Sequence, residues 1–337
     1  MIVTANDILN VYKFGYCDFN FDIIIDKDIA NRKIDFNNAK LGLKTRIYDS
    51  LIRAKKPISI LLSGGVDSTF LYCMLRNCFE DKDIVPITIA YNESFYNETL
   101  NNIKTNLFVI DKTIINEVLE RITVDTYKNI FSTSSLIPTY TALKFAAVEG
   151  NTIVTGDGGD EIFCGYDKYL LPFIKYRDSK RRIAKLKSYL VNGYPSAISS
   201  SIDSIFPFNN ALEYIMNIDG LNKMEKLMLF DRKTELVKLE IPKVETAARM
   251  ANVNNIISPF LDKVISDYVV SLPTKYKYKN GIRKRILRSI LKEEGIKISN
   301  RKKGFNVPID EWIGGEVNWT STILDTLFKK EIIKVKG

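Results

Sequence analysis

The sequence predicts an α/β protein: an open, mostly parallel sheet with crossover helices, followed by a mainly helical C-terminal part. Three observations predict it. An uninterrupted apolar run, ISILLS at 58–63, ends in a glycine-bearing turn and an apolar helix, as expected for a parallel strand covered on both faces. Strand-length and helix-length apolar patterns then alternate to about residue 155, the rhythm of crossover units. Beyond about residue 170 helical spacing takes over, with charges between the apolar positions.

Taken in order, residues 1–55 read as an N-terminal arm or small strand-containing extension. FDIIID at 21–26 is strand-like, and 42–56 is helical with Leu41, Leu43, Ile47, Leu51 and Ile52 near one face. Residues 56–175 form the α/β domain. Its strands are expected at 58–63, 84–91, 106–111 and 151–155. Its helices are expected at 68–78, 97–104, 115–130 and 139–150, the last closed by Gly150. Residues 176–337 are expected to be helical and to cover the sheet edge where the turns lie. Segments 224–239, 261–273 and 281–295 carry the helical spacing. Right-handed crossovers place the turns after the strands along one edge, where ligands of such sheets bind.

The composition narrows the chemistry. The chain of 337 residues is long enough for two domains. Its net charge of +9 fits either an anionic partner or a lysine-rich solvated surface. It has no histidine, so the commonest neutral-pH base and zinc ligand are both missing. A metal site must then use carboxylates and phosphate oxygens, which points to a hard ion such as magnesium (Mg2+). Cys17, Cys73, Cys78 and Cys164 form no CxxC pair, and no stretch resembles a signal peptide or a membrane span. A cytoplasmic protein is expected.

Two loops concentrate the chemistry. In SGGVDST, Gly64 and Gly65 let the backbone approach an anion, and Ser63, Ser68 and Thr69 add hydroxyl donors. The loop lacks the lysine of a Walker A motif. Asp67 beside a polyphosphate therefore requires a cation between them. In TGDGGDEIFCGY (155–166), Asp157, Asp160 and Glu161 crowd around Gly156, Gly158 and Gly159. Three carboxylates so close are costly unless a cation or solvent relieves them.

The first loop resembles the pyrophosphate loop of enzymes that cleave ATP between its α- and β-phosphates, the PP-loop or adenine nucleotide alpha hydrolase-like group. The second loop, SPFLDK (258–263), SLPTKYKYKNGIRKRILRSI (271–290) and RKKGFNVPIDEW (301–312) follow in the order of the asparagine synthetase family. The chain thus resembles that family's synthetase domain over roughly 55–315, without the N-terminal glutaminase domain of its common members. The resemblance implies adenylation of a carboxylate, release of pyrophosphate, and transfer to ammonia or an amine with release of AMP. It assigns Ser63, Gly64, Gly65, Asp67, Ser68 and Thr69 to the pyrophosphate loop, and Asp67 and Asp160 to magnesium. Thr88 and Ala90 fall on the strand that frames the adenine. Gly156 belongs to the second loop, and Arg301, Lys303 and Gly304 lie near the nucleotide. Lys284 matches the lysine that stabilises charge as the adenylate forms and collapses. Asp157 is either an acid/base for the incoming amine or a shaper of the acceptor pocket.

The chain also departs from the family. Ile2 stands where glutaminase-bearing members place a cysteine nucleophile. Ammonia would then come free, from a substrate amine, or from a separate glutaminase or ammonia-supplying protein. Asn255 and Ile257 stand where the family usually has Glu and Arg, which implies either a different acceptor carboxylate or a structural change compensated elsewhere. Two rivals remain: a PP-loop tRNA-modifying enzyme, favoured by the basic segment 175–187, and a non-catalytic nucleotide-binding partner of a glutaminase. The substrate is expected to be a small-molecule or peptide carboxylate with no membrane partner, and a nucleic-acid partner is expected only under the tRNA-modifying reading.

Overall fold

The structure, a computed structural model, describes residues 1–4, 7, 8, 10, 11, 33–91, 103–173, 215, 217–296, 298, 308–314 and 318–336. Its centre is a five-stranded parallel sheet of β2 (Ile58–Leu61), β3 (Ile84–Ala90), β4 (Asn106–Val109), β5 (Thr152–Val154) and β6 (Ile256–Ile257). The spatial order is β4-β3-β2-β5-β6, and every pairing is parallel. The chain runs outward from β2 through β3 to β4, then returns to the other side of β2 as β5. Strand order therefore reverses between β2 and β5, the place where such sheets leave a crevice beyond the strand ends. The two glycine-bearing loops leave β2 and β5 there.

Helices cover both faces. On one side, α1 (Phe36–Leu51), α2 (Val66–Arg76), α8 (Lys263–Ser271) and α9 (Arg285–Glu293) share a core with Ile58, Ile60 and Val154. On the other, α3 (Thr113–Arg121), α4 (Leu136–Glu149), α7 (Ile241–Met250) and α10 (Trp319–Lys329) pack around Ile87, Ile89 and Ile153. The short α5 (Gly159–Phe163) follows β5, and α6 (Lys223–Lys233) packs against it. The close approach of α4 to β2 is specific: a Cβ on Gly150 would lie 2.5 Å from Ser59 Oγ.

Several boundaries differ from the expected ones for visible reasons. Helix α1 starts at Phe36, because the Asp35 carboxylate caps it by accepting from the Asn37 and Asn38 amides at 2.9 and 3.0 Å. Its buried stripe is Ala39, Leu43, Ile47 and Leu51, at i+4 spacing, so Leu41 and Ile52 are exposed. The helix expected to reach residue 130 stops at Arg121. Thr123 and Thr126 bond each other's amides there, at 2.8 and 3.2 Å, and offer the backbone another partner. Helix α4 starts earlier than expected, with Pro138 inside its first turn. The expected helix 224–239 is α6, opened by an Asn222–Glu225 capping box, then a wide turn over Leu236–Glu240 that runs into α7.

Two pairings were not foreseen. Strand β6 extends the sheet from the C-terminal half, with Ile256 and Ile257 opposite Ile153 and Val154. Strand β1 (Ile2–Val3) pairs in parallel with β7 (Lys334–Val335), tying the two ends of the described chain together. The runs at 21–26 and 175–187, Cys17, and most of the expected helix 97–104 lie outside the described residues. Among the described residues no helix is long and apolar enough to cross a membrane.

Candidate active site

The turn after β2 is held by its own hydroxyls. Ser68 Oγ lies 3.1 Å from Ser63 Oγ and accepts from the Ser63 amide at 3.2 Å. Asp67 sits in the first turn of α2, where the free amides of a helix start favour negative charge. Ser68 and Thr69, in the first turn of α2, are buried. Beside this turn, Thr88 donates to the Leu62 carbonyl at 2.7 Å.

The turn after β5 is pressed directly onto the first. A Cβ on Gly156 would meet Asp67 Cβ at 3.3 Å, and one on Gly159 would meet Asp67 Cγ at 2.7 Å. Gly158 has φ +86°, which other residues adopt at a cost, and Leu261 packs where its side chain would be. SPFLDK thus buttresses this loop: Thr155 and Ser258 hydroxyls lie 2.7 Å apart, and Phe260 meets Phe163 edge-on at 5.2 Å.

The two turns bring Asp67 and Asp160 to one cation. Lys284 Nζ bonds Asp67 Oδ2 and lies 2.6 Å from Asp160 Oδ1, and its residue is only 7 % exposed. Burial alone would lower its pKa, but the two carboxylates outweigh that and raise it. Lys284 reaches them from a left-handed backbone position, φ 51°, immediately before α9. This is why the helix expected over 281–295 begins only at Arg285: the chain bends at Gly281 and Lys284 to aim the ammonium. Gly165 closes the third side. A Cβ there would lie 1.7 Å from Asp160 Oδ1 and 2.5 Å from Lys284 Cε. The donor set suits a hard cation: two carboxylates from separate loops address one point, with room left only because glycines flank it. Asp67 and Asp160 are the residues that could hold such an ion.

A cavity of about 320 Å³ opens next to this pair. Ser63, Asp67, Ser68, Thr88, Gly156 and Asp157 line it, so the structure gathers six expected residues around one space. Ala90 does not line it. That residue is fully buried, and its carbonyl accepts from the Ile110 amide of the β4 end at 2.8 Å. Arg301, Lys303 and Gly304 lie outside the described residues. Asn255 and Ile257 also stand away from the cavity. Asn255 donates to the Asn151 carbonyl and Thr152 Oγ1, both at 2.8 Å, and Ile257 belongs to β6.

Some lining residues escaped sequence reasoning. Leu61, Leu62, Ile87 and Ile89 give an apolar wall, and Ser135, Pro138, Thr139 and Ala142 give a helical one. The i+4 spacing of Ser135 and Thr139 was the available signal, hidden because the helix seemed to begin at 139. Lys243 of α7 is a further addition. It is buried against Glu240; burial lowers its pKa, but Glu240 and then Asp157 raise it, placing a cation within the field of Asp157. Glu161 points away from the cavity into the protein. Burial, then the charge of Asp160, push its carboxyl up to about 8, and Tyr166 donates to it at 2.7 Å.

None of the described thiols is activated. Burial pushes Cys73 up to about 11 and Cys164 up to about 12, and raises Cys78.

The asparagine synthase family model matches residues 45–332. Asparagine synthetase [glutamine-hydrolyzing] 1 of Bacillus subtilis is 24% identical over 336 residues, covering 84% of this chain and 52% of that protein. The chain therefore spans about half the length of that relative. A putative asparagine synthetase [glutamine-hydrolyzing] 2 of Methanocaldococcus jannaschii is 27% identical over 138 residues, covering 38% of this chain and 26% of that one. Among solved structures, the NH3-dependent NAD synthetase from Campylobacter jejuni, in complex with nitrate, aligns with a TM-score of 0.31 at 14% identity. That alignment covers 60% of this chain and 96% of the other. With most of its length matched by one family model, this chain belongs to the asparagine synthase family.

Proposed function

We propose that this chain is an ATP-dependent amide-forming ligase that works through an acyl-adenylate. One observation supports this reading above the others: Asp67 and Asp160, from the loops after β2 and β5, converge with Lys284 beside a cavity at the reversal of strand order. In the first step a carboxylate oxygen of the acceptor attacks the α-phosphorus of ATP. The bond to the bridging oxygen breaks, and pyrophosphate leaves with its electron pair. In the second step an amine nitrogen attacks the acyl carbon, the bond to AMP breaks, and the nitrogen loses a proton.

The loop Ser63–Thr69 receives the pyrophosphate end on its amides and hydroxyls. The cavity beside it, with Thr88 on one wall and α4 on the other, takes the nucleoside. Lys284 balances charge on the transferring phosphoryl group. Asp67 and Asp160 would hold magnesium, which when bound would supply further positive charge at the phosphate oxygens. Asp157, in the cavity wall, orients the amine and relays the proton it sheds. The nucleophile is ammonia or a primary amine, delivered free or by a separate ammonia-supplying protein. We place the reaction in the cytoplasm, and assign the sheet up to about residue 175 to the nucleotide and the later helices to closing the cleft.

The test is product analysis with ATP, magnesium, ammonium and a panel of carboxylic acids. Formation of AMP and pyrophosphate that depends on one acid is the expected result. Acid-dependent formation of ADP and phosphate would overturn the reading.

A further inference from the structure

We propose that Arg288, on the first turn of α9, is a pyrophosphate-binding residue that holds the leaving group at the outer end of the phosphate loop. The inference rests on the ligase reading above and assigns it a residue that the family motifs did not single out.

The geometry begins with spacing. The Arg288 amide bonds the Lys284 carbonyl at 3.0 Å, so the two residues stand one helical turn apart on the same side of α9. Helix α9 packs on α2, whose first turn carries Asp67, through its apolar residues Ile286, Leu287, Ile290 and Leu291. Lys284 is buried between Asp67 and Asp160. Arg288 is only half-buried, so it stands nearer the solvent end of the same line of charge. Its Nε donates to the Arg283 carbonyl at 3.1 Å, which fixes the plane of the guanidinium. Arg283 bonds Asp167 and lies 3.4 Å from the Gly165 carbonyl, on the loop that carries Asp160.

The electrostatics point the same way. Burial and the neighbouring Arg283 lower the pKa of Arg288, while Asp67 partly offsets them. The charge of Arg283 opposes that of Arg288, and a multiply charged anion bound near them relieves that cost. Asp67 and Asp160 together carry more negative charge than Lys284 cancels. A departing pyrophosphate adds several more charges to the same place. Lys284 alone cannot balance it, whereas a planar guanidinium can bind two phosphate oxygens at once.

The experiment measures inorganic pyrophosphate binding directly by calorimetry with magnesium present, and its KM in ATP–pyrophosphate exchange. Arg288→Gln should weaken pyrophosphate binding about tenfold or more, while AMP binding stays as in the wild type. Arg288→Lys, which keeps the charge and loses the fork, should weaken it about threefold. If the glutamine variant does not fold, the lysine variant decides by the same measure. Wild-type pyrophosphate affinity in the folded variants would overturn the assignment, as would equal losses for AMP and pyrophosphate. Arg288-dependent pyrophosphate binding in a protein that exchanges no label with any acid would uphold this inference and sink the ligase reading.

Discussion

Lys284 occupies the point where two carboxylates would otherwise repel each other, and this gives it two separable duties. It neutralises the paired carboxylates of Asp67 and Asp160, and in the proposed reaction it stabilises charge as the adenylate forms. The second duty predicts that Lys284→Ala lowers kcat and kcat/KM together. Arginine should restore little, because its flat fork does not fit the narrow gap framed by Gly165. A change confined to the KM for ATP would reduce Lys284 to a binding residue. Asp67 and Asp160 were legible in the sequence as carboxylates in glycine-bearing turns after strands, whereas Lys284 was legible only through the family resemblance. Lys243 was not legible: a lysine in an amphipathic helix reads as solvated until packing shows it buried. Lys277 is a second such case. It is 1 % exposed, its ammonium donates to the Val270 carbonyl at 2.9 Å, and burial pushes its pKa down to about 8 from 10.5. Between those values the unfolded chain holds a proton that the folded protein has lost. Stability should therefore rise with pH across that window, by about 3 kcal/mol. Urea unfolding of wild type and Lys277→Met at pH 7.5 and 10 checks this. The wild type should gain on the variant as pH rises, and parallel curves would contradict it.

At the scale of elements, the site depends on how closely two loops can meet. The strands that launch them were readable, because a run such as ISILLS is apolar on both faces. Strand β6 was not, since two isoleucines after Asn255 give too short a signal and pair only through long-range contact. The start of α4 was blurred by Pro138, and the end of α3 by threonines that bond their own backbone. Gly165 shows what the loops require. A methyl there would overlap the Asp160 carboxylate and crowd Lys284. Gly165→Ala should therefore displace both groups and cut turnover about 100-fold, as misplacement by an ångström does elsewhere. The fold should survive, since Gly165 ends a short helix rather than filling a strand core. Near-normal turnover in this variant, with near-ultraviolet circular dichroism unchanged, would show that the loops tolerate separation.

At the scale of the whole molecule, the parallel sheet supplies a floor, and helices from both halves of the chain close over it. The C-terminal half contributes Lys284 just before α9, Arg288 on it, and the Pro-Phe-Leu-Asp segment that props the second loop. Among the described thiols Cys73 and Cys164 are buried and Cys78 is partly so, and burial raises the pKa of all three, so none of them is suited to attack an amide. This chain should consequently release no glutamate from glutamine. With its acid and ATP it should use ammonium, at a rate that rises with pH as neutral ammonia accumulates. Glutamate release that vanishes on replacing one cysteine would contradict that expectation. The central claim is that Asp67 and Asp160 jointly govern attack on the α-phosphorus, and isotope exchange between labelled pyrophosphate and ATP tests it most directly. With the right carboxylic acid, the wild type should exchange label. Asp67→Asn and Asp160→Asn, still folded, should each lose exchange by orders of magnitude. Undiminished exchange in both variants would contradict the account.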